Sequence, residues 1–168
     1  MSLQTVPISK NFGSMILSDG EVNVLNLDKG EVIDSFKSSG FLLIRGFDNT
    51  TETFKEFTNY FSTNFMPYVG GAYNKREAIN GDKTLLTVTG ANLRYGVPLH
   101  GEMYYTKNKP SVIWFYCVAP ALKDGETTIC DGIQVYEQLS ASTQELFQTK
   151  RLKYIRNYAD GIWQEIYQ

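Results

Sequence analysis

Residues 97–120, VPLHGEMYYTKNKPSVIWFYCVAP, contain the longest apolar run of the chain together with its single histidine. Residues 111–119 within this stretch are apolar at nearly every position, and such a pattern predicts a central β-strand that is covered on both faces. Residues 97–105 are also predicted to be extended, because Pro98 disfavours helical backbone at the residue that precedes it. Two extended segments in succession indicate that the core is built on β-structure.

Helices are predicted on both sides of this stretch. Residues 30–40 have apolar side chains at helical spacing and end at Gly40, a common helix stop. A second helix is predicted to begin at Asn49, and its apolar face is formed by phenylalanines at helical spacing. These are Phe54, Phe57 and Phe61. Two further helices are predicted within residues 131–149, the second of them opened by Ser142.

The remaining elements are short strands, and their order indicates the fold class. The strands are predicted over residues 41–47, 85–90, 127–130 and 151–158. Residues 63–84 carry Gly-Gly, Asn-Gly and Pro, and are predicted to form a long irregular segment. Strands and helices do not alternate regularly, which argues against a doubly wound parallel sheet. The pattern favours a mixed α/β protein of the α+β type, an antiparallel double-sheet roll with flanking helices.

Composition narrows the classes of function. The chain has 168 residues, which suits one domain over residues 1–168. Sixteen basic and eighteen acidic residues give a net charge of −2 without any basic block, which disfavours nucleic acid and anionic membranes as partners. The longest apolar run is too short to span a bilayer, and the first residues lack the pattern of a secretory signal. We therefore expect a cytoplasmic protein.

The two cysteines, Cys117 and Cys130, form no CxxC pair. A zinc site of the Cys/His type is excluded because the chain has one histidine. We expect both thiols to be buried and reduced.

His100 and Glu102 are the candidate metal ligands. In an extended chain, side chains two positions apart point to the same side, so these two are expected to converge. Gly101 between them lets the backbone bend. An imidazole nitrogen and a carboxylate oxygen suit the 2-His-1-carboxylate triad of non-haem Fe(II) enzymes. By itself, however, a His-x-Glu sequence is common, and the alternative is an exposed or hydrogen-bonded histidine without a metal.

The surrounding sequence resembles a known family in several features that occur in order. The features are His100-Gly101-Glu102, the aromatic segment from Pro110 to Cys117, Pro120, the turn Asp124-Gly125-Glu126-Thr127, Asp131 with Tyr136 and Leu139, YIRNY at 154–158 and GFLLIRGF at 40–47. Together they resemble the Fe(II)- and 2-oxoglutarate-dependent oxygenases of the taurine dioxygenase (TauD/TfdA) family in the clavaminate synthase-like superfamily. The resemblance covers residues 28–160.

The resemblance implies a fold, cofactors and ligand residues. It implies a double-stranded β-helix, or jelly roll, that is incomplete in this chain. His100 and Glu102 would be the proximal Fe(II) ligands, and the Thr127 hydroxyl would contact the carboxylate of the co-substrate 2-oxoglutarate. The alternative for Thr127 is a turn residue that contacts no ligand.

The resemblance also bears on the substrate. Glutamate rather than aspartate in the motif is similar to the subgroup around clavaminate synthase and the amino-acid β-hydroxylases, which implies hydroxylation of an amino acid or a natural-product precursor. Glu102 argues against a halogenase, since those relatives leave the carboxylate position empty. Asn92, Arg94 and Tyr104 are candidate substrate contacts. The alternatives are an exposed loop for Arg94 and core packing for Tyr104 and Tyr105.

The chain departs from the family pattern in one respect. The family's second half supplies a distal histidine ligand and the arginine that pairs with 2-oxoglutarate, whereas this sequence has no second histidine. We expect the N-terminal part of a longer enzyme, a subunit completed by a companion chain, or a non-catalytic half-domain that binds a partner chain or small molecule. In each case an incomplete roll exposes edges, which favours self-association or partner binding. A cupin-like metal protein is disfavoured because cupin sites use several histidines.

Overall fold

The computed structural model describes residues 4–18, 22–67, 76–88, 98–104 and 107–155. The chain divides into two compact units. Unit 1 comprises the residues up to Asn64 together with Ile113–Thr127, and unit 2 comprises Phe65–Val112 together with the residues from Thr128 onward. The strands are β1 Thr5–Pro7, β2 Ser14–Leu17, β3 Leu42–Arg45, β4 Ala78–Ile79 and β5 Asp82–Leu86. The helices are α1 Lys29–Ser39, α2 Thr51–Phe61, α3 Gly132–Glu137 and α4 Ala141–Thr149.

Unit 1 contains a three-stranded sheet in the order β1-β2-β3. Strand β2 is antiparallel to β1 and parallel to β3, with Ile16 opposite Ile44. A parallel pair needs a long crossover connection, and α1 lies in that connection. Strands β1 and β2 were not predicted, because each is only three or four residues long. Ile16 is 1% exposed and anchors the core, whose other buried members are Val24, Leu27, Val32 and Phe57.

The first two helices form where the sequence predicts them, with one change of cap. Helix α1 ends at Gly40, which has a φ of 73° and donates its N–H to the carbonyl of Phe36, so that stop is confirmed. Helix α2 is capped by Thr50, whose Oγ1 accepts the Thr53 N–H at 3.1 Å. The predicted cap at Asn49 is therefore wrong by one position. The backbone carbonyl of Asn49 instead accepts a hydrogen bond from the Tyr116 hydroxyl.

Residues 111–119 differ from the prediction of a central, doubly covered strand, because they form no strand. Trp114 and Tyr116 pack on α2, where the Trp114 ring lies 6.0 Å from Phe57 and the Tyr116 ring 5.2 Å from Phe54. The alternating side chains are exposed, including Phe115 at 62%. One face of this segment is thus packed on α2, and the side chains of the other face are exposed. Residues 127–130 and 151–155, also predicted as strands, are irregular as well.

Unit 2 contains a two-stranded hairpin followed by two helices. Strands β4 and β5 pair antiparallel around Asn80 and Gly81, which have φ values of 52° and 77°. Asn-Gly with both residues left-handed is the preferred two-residue hairpin turn, so the irregular segment predicted over 63–84 is wrong at this point. The strand predicted over 85–90 overlaps β5 only at residues 85–86, because β5 runs from Asp82 to Leu86.

Helices α3 and α4 confirm the helical prediction for residues 131–149. Asp131 caps α3 by accepting the Ile133 N–H at 2.9 Å. Helix α4 is capped by Ser140, which accepts the Thr143 N–H at 3.3 Å, rather than by the predicted Ser142. The predicted element is therefore present and its first residue is shifted by two positions.

These elements make the chain a mixed α/β protein, as predicted, while the jelly-roll arrangement remains a prediction. None of the helices in the described ranges has the length and apolarity that crossing a membrane requires. Cys117 and Cys130 are both exposed, so the expectation of buried thiols is wrong. Both residues lie in segments that were predicted as strands and are irregular, which explains why the expected cover over their side chains is missing.

Candidate functional site

His100 has one ring nitrogen engaged by the backbone. Its Nδ1 lies 2.8 Å from the carbonyl oxygen of Pro98. A carbonyl oxygen only accepts hydrogen bonds, so Nδ1 carries the proton and donates it. In the neutral ring this leaves the Nε2 lone pair available as a ligand. The same arrangement fixes the tautomer and orientation of histidines that bind metals.

Glu102 is held by an arginine that is distant in sequence. Its Oε2 lies 3.1 Å from Nη2 of Arg76, which is 26 positions away. The side chains are 21% and 27% exposed, respectively, so the pair is partly shielded from water. A charge-assisted hydrogen bond of this kind restricts the orientation of the carboxylate.

The backbone around Glu102 is a turn rather than the extended chain predicted over 97–105. Glu102–Tyr104 form the turn, and the Tyr104 N–H donates to the carbonyl of Gly101 at 3.4 Å. Met103 has a φ of 55°, a left-handed conformation that is uncommon for a residue with a side chain. The argument from alternating side chains of a strand therefore does not apply to His100 and Glu102. Such backbone strain is often found at functional sites.

The ring of Tyr104 lies directly over Gly101. A Cβ atom at Gly101 would be 2.6 Å from the ring, which leaves room only for glycine. The ring is 61% exposed, and Nζ of Lys109 lies 5.0 Å from its centroid. Tyr104 is thus neither a core residue nor shielded from solvent, and core packing is wrong for this side chain. Tyr105 lies outside the described residues.

The donor atoms of His100 and Glu102 fit Fe(II) in kind. An imidazole nitrogen and a carboxylate oxygen are two of the three protein ligands of a facial triad. Within the described residues no group of three His, Cys, Asp or Glu side chains is close enough to hold a metal ion. Because the sequence has one histidine, a second imidazole ligand is not available within it.

The other predicted site residues are distributed as follows. Thr127 is exposed and ends the second segment of unit 1, after a turn in which Asp124 and Gly125 have left-handed φ values of 56° and 90°. Asn92 and Arg94 lie outside the described residues. Arg76 was missed, since nothing in the sequence links it to Glu102 across the intervening residues.

Comparison with known proteins gives the following matches. The model of the family described as "Taurine catabolism dioxygenase TauD, TfdA family" matches residues 5–167. The chain is 31% identical over 111 residues to a clavaminate synthase-like protein from Arabidopsis thaliana. That match covers 66% of this chain and 33% of the Arabidopsis protein, so the chain spans about a third of the length of this relative. No solved structure matches the chain significantly.

Proposed function

Because the chain belongs to the family of taurine catabolism dioxygenases TauD, TfdA, we propose that it forms the metal-proximal portion of an Fe(II)- and 2-oxoglutarate-dependent oxygenase. Members of this family are in general non-haem Fe(II) and 2-oxoglutarate dioxygenases. We propose hydroxylation of an amino acid or a natural-product precursor. This choice is supported by the glutamate of the His100-Gly101-Glu102 motif.

The observation that carries the proposal is the hydrogen bond made by the His100 ring. Its Nδ1 donates to the Pro98 carbonyl at 2.8 Å, which leaves the Nε2 lone pair of the neutral ring available to a metal. His100 Nε2 and a Glu102 carboxylate oxygen would hold the iron. When bound, Fe(II) would activate O2, with 2-oxoglutarate oxidised to succinate and CO2, so that one oxygen atom of O2 is inserted into a substrate C–H bond and the other into succinate.

The chain's own residues would orient the reactants. The Thr127 hydroxyl would donate to a carboxylate oxygen of 2-oxoglutarate. Arg94 and Asn92 would bind polar groups of a small-molecule substrate, and the exposed ring of Tyr104 would contact its apolar part. The role of Thr127 follows the resemblance to the family, whereas the roles of Asn92, Arg94 and Tyr104 are proposed from their positions near His100 in the sequence.

The remaining parts of the site would come from polypeptide beyond this sequence. A distal histidine and a 2-oxoglutarate-binding arginine are required, and residues 1–168 contain no second histidine. We propose that residues 1–168 are one part of a single cytoplasmic TauD/TfdA-like domain, whose jelly roll is completed by further or companion polypeptide. The partial coverage of the Arabidopsis relative supports this.

The first prediction tests the metal site directly. Calorimetric titration of Mn(II), a redox-silent substitute for Fe(II), into the chain with 2-oxoglutarate should show binding that Glu102→Ala weakens at least about tenfold, because one of two protein ligands is lost. Glu145→Ala is the matched control, since Glu145 is an exposed carboxylate on α4. Absence of binding in folded wild-type chain, or equal binding by Glu102→Ala, would contradict the proposal.

A second candidate function is a non-catalytic half-domain that binds a partner chain or small molecule. The single histidine favours it, because the chain lacks the ligand set of an active family member. A well-folded chain that binds no Mn(II) would support this candidate over the oxygenase.

A further inference from the structure

The ion pair between Arg76 and Glu102 joins two parts of unit 2 that are distant in sequence. Arg76 lies two residues before the first residue of β4, and its guanidinium contacts the glutamate of the candidate metal site. The proposed function gives a role to Glu102 but none to Arg76.

The hairpin fixes the backbone next to Arg76. The neighbouring Glu77 donates its N–H to the Thr87 Oγ1 at 3.0 Å and accepts the Thr87 N–H on its carbonyl at 2.9 Å. These two bonds extend the pairing of β4 with β5 by one step. The backbone one residue after Arg76 is therefore fixed by the hairpin, which limits where the arginine side chain can start.

We propose that Arg76 is the positioning residue of the metal-ligating carboxylate, holding Oε2 of Glu102 so that Oε1 is presented to the metal. This inference rests on the proposed function. The guanidinium contacts Oε2 at 3.1 Å, and Oε1 has no hydrogen bond among the described residues. A carboxylate held at one oxygen loses less rotational freedom when the other oxygen binds a metal, and hydrogen-bond partners of metal ligands usually raise metal affinity.

The opposing effect is the positive charge of Arg76. A guanidinium near a divalent cation repels the cation and competes with it for the carboxylate. If the ion pair kept Glu102 from reaching the metal, Arg76 would weaken metal binding. The contact leaves Oε1 of Glu102 without a hydrogen bond among the described residues, so the guanidinium and the metal would not compete for the same oxygen atom. We therefore expect orientation to outweigh repulsion.

The test measures Mn(II) affinity by calorimetry with 2-oxoglutarate present, in the full chain. Arg76→Ala should weaken Mn(II) binding about ten- to a hundredfold, the usual effect of removing such a partner. Arg76→Lys should bind with intermediate affinity, since it keeps the charge and one donor but loses the planar fork. Arg151→Ala is the matched control, because Arg151 is an exposed arginine of the same unit.

Two further measurements separate positioning from a structural role. The melting temperature and near-ultraviolet circular dichroism of the metal-free variants should match those of wild type. In the Glu102→Ala background, Arg76→Ala should have no further effect on Mn(II) affinity, because the group that it positions is gone. If Arg76 had a purely structural role, Arg76→Ala and Arg76→Lys would both lower the melting temperature. Arg76→Ala would then also weaken Mn(II) binding further in the Glu102→Ala background.

The possible outcomes distinguish this inference from the proposed function. If wild type binds Mn(II), Glu102→Ala weakens that binding and Arg76→Ala binds as well as or better than wild type, the inference is wrong and the proposed function stands. If folded wild type does not bind Mn(II), the proposed function is contradicted and the role of Arg76 with it.

Discussion

Gly101 is the residue at which the local geometry of the site is most restricted. Any side chain there would meet the Tyr104 ring, whose nearest atoms lie 2.6 Å from the Cβ position. We predict that Gly101→Ala destabilises the chain by about 0.5–1.5 kcal/mol, because the exposed Tyr104 ring must leave its present rotamer, and weakens Mn(II) binding by displacing the turn. Urea denaturation and calorimetry measure the two effects.

Two variants control this experiment. Gly132→Ala is the matched control, because a Cβ atom there meets nothing within 4 Å and Gly132 begins helix α3, so its stability should be unchanged or raised. Gly101→Ala combined with Tyr104→Ala should recover part of the lost stability, since the ring responsible for the clash is removed. If Gly101→Ala and Gly132→Ala changed the stability equally, the Tyr104 ring would have moved aside without cost and the prediction would be wrong.

At the residue scale, the sequence predicts candidate ligand residues but not the contacts that hold them in place. His100 and Glu102 could be proposed because their residue types and spacing carry a chemical meaning. Their actual arrangement, a turn with left-handed Met103 rather than a strand, depends on the packing of Tyr104 on Gly101. The contact with Arg76 depends on tertiary structure and has no local signal in the sequence.

At the scale of single elements, helix α2 shows how a cap is chosen between adjacent candidates. Asn49 and Thr50 are both common N-cap residues, but Oγ1 of Thr50 accepts the Thr53 N–H, and the Asn49 carbonyl is engaged by Tyr116. We predict that Thr50→Ala costs about 1 kcal/mol of stability in urea denaturation. Thr51→Ala, one position inside the helix, should cost clearly less; the reverse order would mean that Thr50 does not cap α2.

The helices were predictable because their signals are local, whereas several strands were not. A cap, a stop glycine and apolar spacing define α1 and α2 within about a dozen residues. A strand is stabilised by partners elsewhere in the chain, so residues 111–119, although apolar at nearly every position, form no strand in the described structure. The hairpin β4–β5 was missed even though Asn80-Gly81 is a strong local turn signal.

At the scale of the whole molecule, residues 111–119 have more apolar side chains than the described residues bury. Trp114 is packed against α2, while Ile113 and Phe115 are 45% and 62% exposed. Neighbouring apolar side chains that are exposed favour association with another chain. This agrees with a domain whose remaining strands come from beyond this sequence, as proposed above.

We therefore predict that the isolated chain self-associates through this segment. In sedimentation velocity, the weight-average sedimentation coefficient of wild type should rise with concentration, and Ile113→Ser with Phe115→Ser should reduce that rise, because the exposed apolar area is replaced by hydroxyls. Leu152→Ser with Tyr154→Ser is the matched control, since these side chains have the same spacing and are 65% and 62% exposed. Only the first pair interrupts a segment that is held in place by packing on α2. If the control pair lowers association as much as the first pair, the surface is non-specific; if wild type stays monomeric at all concentrations, the prediction is wrong.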